Sequence, residues 1–235
     1  RIVVAYPAGG SVDVTARLCA QKFTESTGTS FIVENRAGAG GNTGTDYVSK
    51  AAPDGYTLLM GSAAALASNP ALYAKLPFDP VRDLAPISLI VIQPNVLVVH
   101  PTIPVGSVKE FIALSKRKPG VLNYGSSGIG GSQHMAAELY SYYAGIKLVH
   151  VPYKGGAPAL TDLVGGQIDL MFETIPTAMP YVKSSKLRAL GITTAQRSQA
   201  YPDLPTIRES GVPQYEYRGW IGLLAPAGIS PDRSE

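Results

Sequence analysis

Short runs of β-branched and aromatic residues alternate along this chain with longer segments whose apolar residues recur every three or four positions. The short runs predict strands at Arg1–Tyr6, Phe31–Asn35, Thr57–Ser62, Ile87–Val99, Val121–Gly125, Leu148–Val151, Ile168–Phe172, Leu187–Thr193 and Tyr217–Leu224. The longer segments predict helices at Val12–Ser26, Gly44–Ala52, Val108–Lys118, Gln133–Ala144, Pro158–Val164 and Pro176–Val182. Steady alternation of strand and helix predicts an α/β fold with parallel sheets covered by helices on both faces.

Two of the predicted strand-to-helix turns resemble each other. The first runs from Tyr6 to Asp13 (YPAGGSVD) and the second from Tyr124 to His134 (YGSSGIGGSQH). Each follows a strand, contains paired glycines and places a serine at the expected N-cap of a helix. Since they lie far apart in the chain, we expect one turn in each of two lobes.

Such turns are suited to binding anions. Glycines let successive N–H groups point into one concavity, and the first helical turn adds unpaired donors and a partial positive charge. A carboxylate or phosphate therefore binds there without a cationic side chain. The alternative is that both turns are ordinary strand–helix loops with serine caps.

Composition and charge exclude several other classes of protein. The chain of 235 residues has 25 glycines and 19 prolines, but 45% of its residues are hydrophobic, which is typical of a folded protein with many turns. The formal net charge of +3 is too small and too scattered for nucleic-acid binding. No apolar stretch reaches the ~20 residues that a membrane-spanning helix needs.

The motifs of nucleotide-binding proteins, hydrolases and metal sites are missing. The pattern G-x-G-x-x-G fails at Thr43 and at Gln133, and no phosphate-binding G-x-x-x-x-G-K-[ST] loop occurs. The nucleophile pattern G-x-S-x-G around Ser127 fails at Ile129. Three histidines without ligand spacing and a single cysteine do not form a metal site. We predict no cofactor, no metal and no catalytic residue.

Asp13 and His134 each allow two interpretations. Asp13 either pairs with Arg17 at i+4 and stabilises the helix start, or accepts a hydrogen bond from a ligand donor. His134, in the first turn of the second helix, either contacts a ligand or caps and packs the helix.

Six ordered motifs resemble one known family. The runs PAGGSVDVTAR, VENRAGAGGNTG, KAAPDGYTLLMGS, NYGSSGIGGSQH, HVPYKGGAPALTDLVGGQID and PDLPTIRESG closely resemble the Bug family, the extracytoplasmic solute receptors of tripartite tricarboxylate transporters. The resemblance extends from Arg1 to about Gly228.

The resemblance implies a two-lobed, type II-like periplasmic binding protein with a ligand cleft between its lobes. The first lobe would comprise residues 1–100 and 215–235, and the second 101–214. The protein would be a periplasmic monomer that binds a small carboxylate, such as a dicarboxylate, an amino acid or an aromatic acid. It would deliver this ligand to the membrane permease subunits and bind no nucleic acid.

The candidate ligand-binding residues come from the two turns and from three strand ends. In family complexes the two loops hold one carboxylate end, and Ser62, Tyr153 and Glu173 are our candidates for the far end. The full set is Tyr6, Ala8, Gly9, Gly10, Ser11, Asp13, Ser62, Ser126, Ser127, Gly128, Gly130, Gly131, Ser132, His134, Tyr153 and Glu173.

The ends of the chain depart from the family pattern. The sequence begins at Arg1, inside a predicted strand, as though processed or trimmed. Family members continue for roughly another sixty residues after the point where this chain ends, so we expect the first lobe to lack its C-terminal helices. Two other functions stay open at this level: a carboxylate sensor that signals to a receptor kinase, and an enzyme acting on a carboxylate.

Overall fold

A computed structural model describes residues 1–230, which fold into two compact units. The first unit contains Arg1–Ile92 and the segment that begins at Trp220, and the second contains Gln93–Gly219. The chain therefore changes units at 92/93 and 219/220, instead of the expected 100/101 and 214/215. The first difference arises because Asn95–Val99 pairs with strands of the second unit.

The strands and helices follow the predicted alternation. In chain order the strands are β1 (Ile2–Val4), β2 (Val33–Asn35), β3 (Leu58–Ser62), β4 (Leu84–Gln93), β5 (Asn95–Val99), β6 (Asn123–Ser126), β7 (Val149–Pro152), β8 (Leu170–Thr174), β9 (Arg188–Ile192) and β10 (Gly219–Pro226). The α-helices are α1 (Ser11–Thr27), α2 (Asn42–Ser49), α3 (Asn69–Leu72), α4 (Val108–Arg117), α5 (Ser132–Ala144), α6 (Gly156–Val164) and α7 (Ile175–Lys183).

The first unit is built on a five-stranded sheet of order β2-β1-β3-β10-β4. β1 is parallel to both β2 and β3, whereas β10 is antiparallel to β3. Successive residues of β1 point to opposite faces, so Ile2 packs with Ala16 of α1 while Val3 packs with Val48 of α2. Helices therefore cover both faces of this sheet.

The second unit has a sheet of order β7-β6-β8-β5-β9. β6 is parallel to β7 and β8, but β5 is antiparallel to β8 and β9. On one face Phe172 of β8 packs with Phe111 of α4 and Tyr140 of α5, and on the other Met171 packs with Leu160 of α6. The α/β fold class is confirmed: each sheet, predicted as mostly parallel, contains both parallel and antiparallel strand pairs.

The predicted strand Ile87–Val99 is wrong as a single element. It divides at Pro94 into β4 and β5, which belong to different sheets. Proline has no N–H to donate to a ladder and is confined to strand ends and edges, which explains the break. Both strands are apolar, so the periodicity does not reveal the change of sheet.

Three short helical segments are absent from the prediction. They are a 3₁₀ turn at Ala39–Gly41, a π-helical turn at Ala64–Ser68 and the four residues of α3. Each is too short to show a helical period. Within the described range 1–230, none of the helices has both the length and the apolar character needed to cross a membrane. Residues 231–235, the end of the expected first lobe, lie outside the described residues.

Candidate ligand-binding loops

The first glycine loop, residues 6–10, joins β1 to α1 at the carboxyl end of β1. The N-cap of α1 is Gly10, and Ser11 occupies the first helical position. The second glycine loop, residues 127–131, joins β6 to α5 in the same way, with Gly131 as N-cap and Ser132 as the first helical residue. The predicted serine caps are therefore wrong. Because glycine has no side chain, neither N-cap residue accepts from the first-turn N–H groups.

Asp13 holds the first glycine loop in place. Its Oδ2 accepts from the N–H of Gly9 and from Nε of Arg17, both at 2.9 Å, and its Oδ1 accepts from Nδ2 of Asn35 at 2.9 Å. The hydrogen bond from Arg17, together with those from Gly9 and Asn35, lowers the pKa of Asp13 to about 2, although burial opposes the shift. The expected pair with Arg17 is thus present, and a contact between Asp13 and a ligand stays a prediction.

Gly9 lies at the turning point of this loop. Its φ of +86° is in the left-handed region that side chains with a Cβ rarely adopt. Ala8, Gly9, Gly10 and Ser11 are all exposed. The first-turn N–H groups of α1 therefore begin on a solvent-accessible loop.

Tyr6 and Ser62 join the ends of two neighbouring strands of the first unit. The Tyr6 hydroxyl lies 2.7 Å from Oγ of Ser62, at the carboxyl end of β3. The Tyr6 carbonyl accepts from Nδ2 of Asn35, the residue that ends β2. Burial raises the pKa of Tyr6. The three strand ends are thus connected by hydrogen bonds just below the first glycine loop.

The second glycine loop uses most of its N–H groups internally. The observed pairs are Ser127 N–H to Gln133 Oε1 (2.6 Å), Gly128 N–H to Ser126 Oγ (3.1 Å), Gly130 N–H to His134 Nδ1 (3.1 Å) and Gly131 N–H to the Gly128 carbonyl (3.3 Å). Donation to a ligand from Gly128, Gly130 and Gly131, as predicted, would require these bonds to break. The first-turn N–H groups of α5, which have no intrahelical acceptor, are the better placed donors.

Aromatic side chains support the second glycine loop from the sheet side. The rings of Tyr124, His150 and His134 are stacked, with centroids 4.8 Å apart for Tyr124–His150 and 4.2 Å for His134–His150. Nε2 of His150 lies 2.6 Å from Oγ of Ser126. Burial lowers the pKa of His134, and burial and then the neighbouring His134 lower that of His150 to about 4. Of the two interpretations of His134, the structure shows packing; its contact with a ligand stays a prediction.

Tyr153 follows β7 and Glu173 lies near the end of β8, the two strands that flank β6. The Tyr153 hydroxyl donates to Oδ2 of Asp162 at 2.7 Å, and burial, with Asp162, raises the pKa of Tyr153 to about 12. Glu173 is 3% exposed and accepts from Nε2 of Gln133 and from the N–H of Thr174, both at 2.7 Å. Burial raises the pKa of Glu173. Both of its oxygens are therefore already engaged inside the protein.

Three residues that shape these loops were absent from the candidate set: Asn35, Gln133 and His150. Asn35 ends a strand beside the first loop, and strand-end position was the criterion that selected Ser62. Gln133 adjoins Ser132 but is 4% exposed, and a buried amide in a first helical turn has no sequence signature. His150 lies on the strand paired with β6, and pairing of β7 with β6 follows only from the three-dimensional structure.

Within residues 1–230, no group of three His, Cys, Asp or Glu side chains converges as a metal site would require. The donors that meet at the two glycine loops are backbone N–H groups and hydroxyls. Such donors suit an anion bound by hydrogen bonds.

Comparison with known proteins agrees with this chemistry. Residues 15–233 match the profile of the tripartite tricarboxylate transporter family receptor. The chain is 38% identical over 232 residues to protein BugT of Bordetella pertussis, an alignment that covers 98% of this chain and 71% of BugT. These matches confirm the resemblance seen in the sequence motifs.

Solved structures with the same fold include proteins with bound acids. A protein of R. palustris, solved with adipate, superposes with a TM-score of 0.91 at 37% identity, covering 99% of this chain and 78% of that one. MatC from Rhodopseudomonas palustris, solved with bound malate, gives a TM-score of 0.88 at 32% identity, covering 99% of this chain and 80% of that one.

Proposed function

We propose, from the premise that this chain belongs to the tripartite tricarboxylate transporter family of solute-binding receptors, that it binds a small dicarboxylate reversibly and delivers it to a membrane permease. The observation that carries the proposal is the pair of helix N-termini whose N-cap residues are glycines. Gly10 precedes α1 in the first unit, and Gly131 precedes α5 in the second. Each is at the carboxyl end of a sheet, where ligands of open α/β proteins bind.

The ligand class follows from the donors and from the relatives. Backbone N–H groups with the partial charge of a helix N-terminus favour an anion, and the hydroxyls of Ser11 and Ser132 add further donors. The two relatives solved with adipate and malate hold dicarboxylates, which supports a dicarboxylate for this chain. Ser62 and Tyr153 stay our candidates for the far end of the ligand.

The remaining parts of the proposal follow from the family. The receptors of this family are periplasmic binding proteins, and we place this protein in the periplasm as a monomer that hands its ligand to permease subunits. We propose no turnover of the ligand. The ligand cleft between the lobes stays a prediction, as do the ligand contacts of all sixteen candidate residues.

Isothermal titration of the purified full-length protein tests the ligand class. The panel contains adipate, malate, citrate, acetate and the uncharged diamide of adipic acid. We expect saturable binding of at least one dicarboxylate and none of the diamide, because an uncharged amide gains little from the helix N-termini. Absence of binding by every carboxylate would reject the proposed function, whereas equal binding of the diamide would reject the anion mechanism.

Proline at the first helical position tests each loop separately. Ser11→Pro and Ser132→Pro each delete one N–H donor, and proline is tolerated at this position. The preceding glycines have extended conformations, with ψ of 169° and 162°, that are compatible with a following proline. A lost hydrogen bond to a carboxylate predicts an affinity at least about tenfold weaker. Ser11→Ala and Ser132→Ala are the matched controls that remove only the hydroxyl, and unchanged affinity in both proline variants would reject these N–H groups as donors.

A further inference from the structure

A buried chain of hydrogen bonds links the second glycine loop to the junction of β8 and α7. Ser127 N–H donates to Oε1 of Gln133, Nε2 of Gln133 donates to Oε2 of Glu173, and Thr174 N–H donates to Oε1 of Glu173. The three distances are 2.6, 2.7 and 2.7 Å. Each carboxylate oxygen of Glu173 thus already accepts a hydrogen bond inside the protein.

The chain of hydrogen bonds has a direction that the groups at its two ends determine together. An amide side chain has one acceptor and one donor end, and a carboxylate only accepts. Because the N–H of Ser127 can only donate and the Glu173 carboxylate accepts, Gln133 turns Oε1 towards Ser127 and Nε2 towards Glu173. A rotated Gln133 would place its NH₂ group against the N–H of Ser127, which leaves a donor unpaired.

Close packing restricts other arrangements of this pair. A Cβ placed on Gly156, the first residue of α6, would lie 3.1 Å from Nε2 of Gln133 and 3.5 Å from Oε2 of Glu173. The start of α6 therefore lies directly against the two side chains. The helix leaves little room for Gln133 to move away from Glu173.

We propose that Glu173 is a positioning residue that acts through Gln133 to fix the conformation of the second glycine loop. This role requires no direct contact between Glu173 and the ligand. The effect of Glu173 on ligand affinity rests on the proposed function, whereas its effect on the conformation of the loop does not. The loop conformation sets where the first turn of α5 presents its donors, so a loose loop weakens binding without removing a donor.

Amide hydrogen exchange measured by NMR on the full-length protein tests the loop directly. Glu173→Ala removes both acceptors and frees Gln133, so we expect exchange at the Ser127 amide to accelerate at least about tenfold. Affinity for adipate should fall by a similar factor if that ligand binds the wild type. Glu216→Ala, at a partly exposed carboxylate of the same unit that pairs with Arg218, is the matched control and should leave Ser127 unchanged.

A double variant that exchanges the side chains of residues 133 and 173 should restore the hydrogen bonds that Glu173→Ala removes. In the double variant Gln133→Glu with Glu173→Gln, residue 133 accepts from Ser127 and from the new amide at 173, whose oxygen accepts from Thr174. All three hydrogen bonds are kept, and donor and acceptor are exchanged only in the bond between residues 133 and 173. We expect protection of the Ser127 amide within about threefold of wild type in this variant.

The outcomes separate the inference from the proposed function. Unchanged Ser127 exchange in Glu173→Ala would overturn the inference, and so would lost protection in the folded double variant. If Glu173→Ala does not fold, the double variant decides alone. Failure of the wild type to bind any carboxylate would reject the proposed function and leave the exchange results valid for the loop.

Discussion

His134 and His150 stack with their ring centroids 4.2 Å apart and their planes inclined by 22°. Nδ1 of His134 accepts from the N–H of Gly130, so this nitrogen carries no proton in the folded loop. Nε2 of His150 meets the hydroxyl of Ser126. Two cationic rings at this separation would repel each other, so the second glycine loop is supported by neutral imidazoles.

Acidification should therefore destabilise the second unit. The pKa of both histidines is lowered on folding, so the pair stabilises the protein above the ordinary histidine pKa of 6.5, and this stability is lost as the pH falls. For His150 the loss of stability continues down to about pH 4. Glu138 opposes the lowering of the His150 pKa. Scanning calorimetry between pH 7 and 4.5 should show a falling Tm.

Two variants identify the histidines responsible. His150→Gln removes the more strongly shifted group and should flatten the dependence of Tm on pH. His100→Gln, at a histidine outside the stack whose ring bonds to Thr102, controls for the loss of an imidazole as such. Equal slopes in wild type and His150→Gln would show that the stack does not determine the pH dependence.

Much of the fold could be predicted because its elements are long enough to show a period. α1, α4 and α5 each span at least ten residues and were predicted to within a few residues at either end. The prediction joined β4 and β5 into one strand because an apolar run does not indicate to which sheet its residues belong. The directions of β5, antiparallel to β8 and β9, and of β10, antiparallel to β3, depend on pairing between residues far apart in sequence.

The location of the two glycine loops also followed from the sequence, but their hydrogen bonds did not. Paired glycines after a strand indicate a turn that exposes N–H groups. The sequence does not say that Asp13 takes the N–H of Gly9 or that Gln133 takes that of Ser127, because these contacts depend on side-chain rotamers. Serine was favoured as N-cap by general preference, whereas each helix already begins at that serine and its N-cap is the preceding glycine.

Asp13 should contribute substantially to the stability of the first unit. Asp13→Ala removes the acceptor of Gly9 and Asn35 at a side chain that is 2% exposed, and we expect a loss of about 2 kcal/mol in the free energy of unfolding. Arg17 is half exposed, so its share is small. Urea denaturation measures the loss, and Glu25→Gln on the same helix, in an exposed pair with Lys22, is the control that should change little.

The same carboxylate predicts a second pH effect at lower pH. Because folding lowers the pKa of Asp13 from 3.8 to about 2, its contribution is complete above about pH 4 and disappears as the pH falls through 2. Asp13→Ala should therefore differ most from wild type at neutral pH and converge with it near pH 2. A constant difference across this range would contradict the shift.

Gly44 should tolerate no side chain. A Cβ at this position would lie 2.7 Å from Cα of Ala5 and 2.9 Å from the carbonyl oxygen of Arg36, so the backbone of α2 or of the segment after β1 would have to move. Gly44→Ala should cost about 2 kcal/mol, despite the higher helix propensity of alanine. Gly106→Ala is the control, because the nearest atom to its Cβ is a flexible carboxylate oxygen of Glu110 at 3.6 Å. Similar stability of the two variants in urea would contradict the prediction.

The Tyr6–Ser62 hydrogen bond should be measurable as a coupling energy. The two oxygens lie 2.7 Å apart, Ser62 is 8% exposed, and the bond joins the ends of β1 and β3. Tyr6→Phe and Ser62→Ala form a double-mutant cycle. We expect the sum of the losses in unfolding free energy of the two single variants to exceed the loss of the double variant by about 1 kcal/mol. The reason is that either change alone leaves one hydroxyl without the other as its partner. Strictly additive losses would mean that water replaces the missing partner. A coupling of the expected size would instead establish that this bond fixes the strand ends from which the first glycine loop begins.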